Sequence, residues 1–250
     1  MLSKTQIDKV GDKLRRDEAD EDALTKLFQY QEEFVPAYKY VERILTKKMY
    51  LTITGRPAKS TLSIIEKLRR INSRLSQVQD VSGCRTIVHN LAAQDEAIQR
   101  AKDWFVSLQV DDKRDNPTHG YRAVHLLVMH EGKCVEVQIR TRIQHFWATI
   151  SEKLSDTYGQ EIKYGKGNQK VLSLLDRLSH NTRHFDLLVN RLHEMQHDHV
   201  LALSQNRRDQ VRTLNKRIKD QEQQLRHTMY EARAILLKFD QMEDRNVLSD

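Results

Sequence analysis

The chain has 250 residues, of which 38% are apolar and 31% charged, with a formal net charge of +7. That length suits one sizeable domain or a domain with an appendage, and so polar a composition points to long solvated helices around a modest core. No apolar run approaches the roughly 18 to 20 residues that cross a bilayer, and "MLSKTQIDKVGDKLRRDEADED" has no apolar signal-peptide core, so a cytoplasmic protein without membrane contact is expected.

Taken in order, residues 3 to 17 and 21 to 49 read as helices. In the second, Leu24, Leu27, Phe28, Phe34, Val35, Tyr38, Val41, Ile44 and Leu45 recur at helical spacing. "YLTITGR", 50 to 56, alternates like a strand, and "STLSIIEKLRRI" opens with a Ser that can cap a helix. "CRTIVH", 84 to 89, is short and β-branched, hence a strand. Residues 92 to 107 read as a helix with Ala93, Ile98, Ala101, Trp104 and Phe105 on one side, followed by a polar loop, "DDKRDNPTHG". "YRAVHLLVMHEGKCVEVQIRT" is a pair of alternating runs joined by "HEGK", a hairpin, and "RIQHFWATISEKLSD" is helical again.

From about residue 168 no strand signal remains, and 168 to 203 and 205 to 245 read as long helices. In the last, Val211, Ile218, Leu225, Ala232 and Phe239 fall seven apart, with Leu214, Gln221, Thr228 and Ile235 in the companion positions. That heptad pattern with two polar breaks serves either a helix packed on its own domain or a contact outside it, with a second copy of the chain or with a partner. The sequence therefore divides into a mixed α/β part, residues 1 to 165, and a helical C-terminal region, 166 to 250, a candidate coiled-coil or oligomerisation element. Cys84 and Cys134 form no CxxC pair, so neither a disulfide framework nor a structural zinc site is expected, and both read as small buried hydrophobes.

The basic balance, with a pI near 9.3, suits an anionic partner. "VQDVSGCR" puts Asp80 just before a strand, and "CVEVQIR" puts Glu136, Gln138 and Arg140 on one face of a strand whose other face carries Val135, Val137 and Ile139. A lone Glu there is most simply a solvated edge. The cations change that reading: Arg56, Lys59, Lys67, Arg85, Lys113, Arg114, Arg122 and Arg140 lie at strand ends, loop ends and a helix start, where α/β proteins build ligand crevices. Two carboxylates among many cations, with aromatic Tyr121, suit a magnesium-bound polyphosphate nucleotide. No GxxxxGK[ST] occurs, so side chains rather than a P-loop would hold phosphate. The residues alone lead to nucleotide binding with metal-assisted phosphoryl or nucleotidyl transfer.

"GRPAKSTLSIIEKLRR", "QDVSGCRTIV", "HGYRAVHLLV" and "VEVQIRTRIQHFWATISEKL" occur in that order and, over roughly residues 40 to 165, resemble the synthetase domain of the RelA/SpoT family, the ppGpp (alarmone) synthetases. The resemblance implies an α/β (α+β) fold: a mixed β-sheet, nucleotidyltransferase-like synthetase core flanked by helices, here with a long helical C-terminal extension. It implies a small, stand-alone member, with no hydrolase domain ahead and no large regulatory region behind. It also implies a reaction, the Mg²⁺-dependent transfer of pyrophosphate from ATP to the ribose 3′-hydroxyl of GDP or GTP.

Carried over residue by residue, Asp80 would bind magnesium, and Glu136 would bind it or act as general base. Arg56 and Arg85 would sandwich the adenine of ATP, and Lys59 and Lys67 would hold its phosphates, with Ser63 nearby. Tyr121 would stack on the guanine and His125 would sit near the acceptor phosphates or the metal. Gln138, Arg140, Lys113, Arg114 and His145 complete the acceptor side. The chain departs from the family pattern in "RPAK", with two residues rather than one between Arg and Lys, in His119 where Asn is common, and in His145 where Asn or Asp is common. Two other readings stand beside this one: a toxin-type relative that modifies the 3′ end of tRNA, and a non-catalytic nucleotide-sensing module.

Overall fold

The structure, a computed structural model, describes residues 2–70 and 73–247, with side chains through residue 237. The side chain of Phe239, one of the heptad positions, lies outside that range. In chain order the elements are α1 (Lys4–Arg16), α2 (Glu21–Glu32), α3 (Val35–Lys47), β1 (Ile53–Arg56), α4 (Thr61–Arg70), β2 (Ser82–Val88), α5 (Leu91–Trp104), β3 (Leu108–Asp112), β4 (Val124–His130), β5 (Lys133–Thr141), α6 (Arg142–Tyr158), α7 (Gln169–Ser204) and α8 (Arg208–Val247). They form two compact units. The first is Met1–Ile87, Glu96–Asp112 and Val124–Ile139; the second is Val88–Asp95, Lys113–Ala123 and Arg140–Asp250.

The first unit contains most of a mixed five-stranded sheet in the order β1-β2-β5-β4-β3. One face is apolar because of strict alternation: Val124, Leu126 and Val128 stand directly opposite Ile139, Val137 and Val135, and all six are at most 1% exposed. Helix α3 lies against β1 and β4. Its apolar positions Tyr38, Val41, Ile44 and Leu45 are all buried. A separate cluster joins α1, α2 and α4 through Val10, Leu14, Leu27, Tyr30, Ile64 and Leu68. Helix α1 begins with a capping box in which Ser3 and Gln6 satisfy each other's backbone N–H groups.

Four expectations change. The helix read over 21 to 49 is two helices, α2 and α3, because Pro36 lacks an amide proton and is suited only to a first helical turn. The strand read from residue 50 starts at Ile53, since Tyr50 has a left-handed φ of 55°. The polar loop is shorter than read: Asp111 and Asp112 belong to β3, paired with His125 and Val124. Charged side chains are tolerated there because β3 is a sheet edge. Trp104, placed on the buried side of α5, is 43% exposed. The Lys48 ammonium sits 5.3 Å from its ring centroid.

In the second unit, α6, α7 and α8 pack through Trp147, Leu154, Val171, Leu175, Leu178 and Ile235. The long helices fall within three residues of their expected bounds. Leu214, Gln221, Thr228 and Ile235 of α8 are all buried. The stripe is covered by α7 of the same chain: Gln221 Nε2 donates to the Leu188 carbonyl at 3.0 Å, which satisfies one of the two polar breaks. This is the intramolecular one of the two arrangements that the heptads allowed.

Leu68 is fully buried and Leu62, on the same helix, is 73% exposed. In urea unfolding, Leu68→Ala is expected to lower stability by about 2–5 kcal/mol, and Leu62→Ala by no more than about 0.5 kcal/mol.

Candidate functional site

The face of the sheet opposite the apolar one carries Arg56, Arg85, His125, Glu136 and Gln138. Paired positions share a face in an antiparallel ladder, so Arg56 stands with Gly83, Thr54 with Arg85, and Gln138 with His125. Gly83 joins β2 to β5 on this face: a Cβ there would lie 3.5 Å from the Glu136 Cβ and 2.7 Å from its carbonyl oxygen. Only glycine lets the two strands approach so closely at the carboxylate. This residue escaped the sequence reading, although a glycine inside "VSGCR" is the usual mark of close backbone approach.

Asp80 sits just ahead of β2 and is held by two lysines. Lys59 Nζ reaches Oδ2 at 2.5 Å, and Lys67 Nζ binds Oδ1. Lys59 is itself fixed through its backbone, donating to the Val81 carbonyl at 2.7 Å and accepting from Gln31 Nε2 at 2.6 Å. The extra residue in "RPAK" is therefore absorbed in the loop, and Lys59 still arrives at Asp80. Lys67 comes from α4, one turn beyond Ser63. The Ser60 Oγ accepts from the Ser63 N–H at 3.3 Å, as the helix-start signal implied.

Glu136, in the middle of β5, accepts from His125 Nδ1 at 2.5 Å and from Gln138 Nε2 at 3.5 Å. Burial pushes both carboxyls up, and their cationic and hydrogen-bonding partners more than offset it. Asp80 ends below its ordinary 3.8 because of Lys59 and Lys67, and Glu136 below its ordinary 4.5 because of His125. Glu136 also feels Asp80, whose charge raises it. Two carboxylates in electrostatic reach form a donor set of hard oxygens. Among the described residues no group of three or more His, Cys, Asp or Glu is placed to hold a metal ion. Such a pair suits a cation that draws its remaining ligands from water and phosphate.

The acceptor-side residues of the second unit form a separate group. Tyr121 accepts from Arg140 Nη2 at 3.1 Å through its hydroxyl, and the guanidinium lies 5.2 Å from the ring centroid. Arg140 is 6% exposed. The Lys113 N–H donates to the Ala123 carbonyl at 3.0 Å. Arg114 pairs with Asp95 at 2.7 Å, and its carbonyl accepts from Arg122. The Arg114 guanidinium thus has a partner inside its own unit, which the sequence did not indicate. His145 lies half-buried on α6. In the first unit, His130 stacks on Tyr40 with centroids 3.8 Å apart.

A model of the region found in RelA/SpoT proteins matches residues 55–161. Over 125 residues the chain is 39% identical to the uncharacterized protein Rv1366 of Mycobacterium tuberculosis, a match covering 48% of this chain and 45% of that protein. The chain thus spans less than half the length of the mycobacterial relatives it matches. Over 148 residues it is 32% identical to the GTP pyrophosphokinase YjbM of Bacillus subtilis, covering 54% of this chain and 67% of the relative. Among solved structures, its fold is similar to that of small alarmone synthetase 1 from Bacillus subtilis bound to its product pppGpp. The TM-score is 0.55 at 25% identity, over 70% of this chain and 98% of that one. A GTP pyrophosphokinase family protein from Streptococcus pneumoniae shares the fold, with a TM-score of 0.54 at 20% identity, over 68% of this chain and 93% of that one.

Two outcomes test the geometry. A carboxylate whose folded pKa is depressed adds stability above its unfolded pKa and loses it as pH falls through the folded value. Stability from Asp80 and Glu136 is therefore expected to be complete at neutral pH and to decline below about pH 4–5. In urea titrations from pH 7 to pH 3, Glu136→Gln makes this acid limb shallower. Gly83→Ala forces β2 away from β5 and is expected to lower the urea midpoint, at a cost of about 1–3 kcal/mol.

Proposed function

Because the chain belongs to the RelA/SpoT family, we propose that it moves a pyrophosphate group from ATP to the ribose 3′-hydroxyl of GDP or GTP and releases AMP. The observation that carries this reading is the pair of carboxylates, Asp80 just ahead of β2 and bound by two lysines, and Glu136 on β5 and bound by His125. The GTP pyrophosphokinase activity for which the Bacillus subtilis relative is named and the product bound to the similar synthetase support the same chemistry.

The roles follow from charge and reach. In the transfer, the 3′-oxygen forms a bond to the β-phosphorus of ATP. The bond from that phosphorus to the oxygen bridging it to the α-phosphorus breaks, and AMP leaves with the electron pair. The 3′-hydroxyl proton needs an acceptor. Glu136 is ionised at neutral pH, as a base must be, and burial leaves it few competing water contacts. Lys59 and Lys67 are ammonium groups beside Asp80, able to turn to the triphosphate when it docks. Arg56 and Arg85 are diagonal neighbours on β1 and β2, a relation that spaces residues about 7–8 Å apart and suits two guanidiniums stacked on either side of a flat base. Tyr121 offers its ring to the acceptor base, with Arg140 fixing its hydroxyl.

Magnesium fits the donor set of Asp80 and Glu136, which supplies oxygen ligands and leaves room for phosphate and water. Bound there, it would neutralise charge that builds on the transferring phosphates. His125 on Glu136 and the lysines on Asp80 would serve as the counter-charges of the metal-free protein.

The test supplies the purified protein with magnesium, ATP labelled on its γ-phosphate, and GDP, GTP, GMP, ATP or total tRNA as acceptor. Label is expected on GDP or GTP, with a rate at least about 100-fold lower for Glu136→Gln, the usual minimum for loss of a general base. Label on tRNA alone would replace the acceptor while keeping the transfer. No label with nucleotide still bound would make the protein a nucleotide sensor.

A further inference from the structure

Helix α7 begins at Gln169, beyond the stretch 55–161 that the family model matches. One of its sides is polar. Ser179, Arg183, Asp186 and Asn190 are spaced 4, 3 and 4 apart, so they lie along a single helix face. Together they bond three other segments of the second unit. Ser179 Oγ donates to the Gly120 carbonyl at 2.7 Å. Arg183 pairs with Asp115 at 2.5 Å. Asp186 Oδ2 accepts from Thr141 Oγ1 at 3.0 Å and from Gln144 Nε2 at 3.3 Å. Asn190 Oδ1 accepts from the Ala92 N–H at 2.9 Å.

Two of these contacts are fully internal. Ser179 is 1% exposed and Asp186 is 2% exposed. Thr141 and Gln144 form the capping box of α6. Gln144 also exchanges amide hydrogen bonds with Gln94, at 3.0 and 3.4 Å. Burial pushes the Asp186 carboxyl up to about 6, with Thr141 and Gln144 holding it down. A buried carboxylate at the start of a helix, bonded to both members of its capping box, holds that helix start in one place.

The segments held in this way flank the Tyr121–Arg140 pair. Gly120 precedes Tyr121, and Thr141 follows Arg140. Gly120 has a φ of 85°, and a Cβ there would lie 2.8 Å from Trp147 Cζ2 and 3.2 Å from Ser179 Cβ, so its backbone rests directly on α6 and α7. The Tyr121 ring packs against the same cluster, 6.4 Å from Trp147 between centroids. Trp147 is in turn fixed by its indole N–H, which donates to the Leu175 carbonyl of α7 at 3.0 Å.

We propose that the polar stripe of α7 is a positioning device for acceptor recognition: Ser179 sets Tyr121 through Gly120, and Asp186 sets Arg140 through Thr141. Helix α7 is thus part of the acceptor-binding apparatus rather than an appendage to it. Ser179 and Asp186 are positioning residues, since neither touches the nucleotide in this scheme. Arg183 and Asp115 add a rim contact, the acid being 80% exposed and the pair weak for that reason. The inference rests on the reading in which Tyr121 stacks on the acceptor base.

A helix that merely holds the unit together would predict general destabilisation. A positioning helix predicts a local and substrate-selective effect. The test uses the full chain with Ser179→Ala, which removes one hydroxyl and keeps the volume small, and Asp186→Asn, with Val200→Ala, at a 65% exposed position of the same helix, as the control. Hydrogen exchange of amides 113–123 is expected to quicken about tenfold in Ser179→Ala, the effect of losing one buried hydrogen bond, while amides 124–139 keep their rates. The KM for the guanine nucleotide is expected to rise by about the same factor with the KM for ATP unchanged, and Val200→Ala should match the parent. Unchanged exchange in the loop overturns the proposal, as does a looser loop with an unaltered acceptor KM. If Asp186→Asn fails to fold, Ser179→Ala decides alone. If the parent protein transfers pyrophosphate to no acceptor, the synthetase reading fails by itself. Loop exchange, together with GDP affinity by calorimetry, then supports or overturns the positioning role.

Discussion

The pairing of two partly buried carboxylates, Asp80 ahead of β2 and Glu136 on β5, is the constraint to which the first unit is built. A buried carboxylate without a partner would protonate or unfold its surroundings. Asp80 avoids this through lysines from two directions, Lys59 from the loop after β1 and Lys67 from α4. Glu136 avoids it through His125, a neighbour on β4. The strand order makes this possible: β5 lies in the centre of the sheet with β2 and β4 on its two sides. Each helix and loop that supplies a cation is anchored in turn, α4 by Leu68 in the N-terminal cluster and Lys59 by its two backbone hydrogen bonds. The cations that stabilise the protein without ligand are the ones that a triphosphate and a metal would reorganise. The stability of the fold and the proposed chemistry therefore draw on the same charges.

The second unit solves a different problem. Under the proposed function, a tyrosine ring that receives a flat base must be held at its edge and by its backbone while one face stays usable. Arg140 fixes the hydroxyl, and the Thr118 carbonyl accepts the Tyr121 N–H at 3.0 Å. Gly120 permits the left-handed turn that brings the chain down onto α6 and α7. The rigidity comes from helices that lie late in the sequence. Their own pairing depends on the α8 heptads and on polar breaks such as Gln221, whose amide finds a carbonyl on α7.

The hydrophobic alternation of β4 and β5, the cap of α4 and the two long C-terminal helices were legible because each depends on local periodicity or local turn chemistry. The break at Pro36 was legible in principle and was overridden by the apolar period running on both sides of it. Strand β3 was not legible: Asp111 and Asp112 look like loop, and only pairing with β4 makes them strand. At the site, Asp80, Glu136, Lys59 and Lys67 could be named from the four motif blocks. What no motif expressed was their pairing, because salt bridges across 13 and 21 residues are made by the fold. The same applies to Arg114, whose partner Asp95 lies 19 residues back.

The positions missed altogether share a cause. Gly83 matters for the side chain it lacks, and its reason stands on another strand, at Glu136. Ser179 and Asp186 sit in a helix whose composition reads as amphipathic and solvated. A polar stripe of Ser, Arg, Asp and Asn looks like a water-facing side until the structure shows two of its members almost fully enclosed. Burying polar groups is costly unless each finds a partner. A helix that meets this cost with bonds to Gly120, Thr141 and Gln144 stabilises one specific arrangement of those segments over its alternatives. An apolar stripe would have held α7 to the unit with similar strength and far less geometric selectivity. The choice of polar contacts at these positions is therefore best explained by a need for direction as well as adhesion, and direction is what a stacking tyrosine requires.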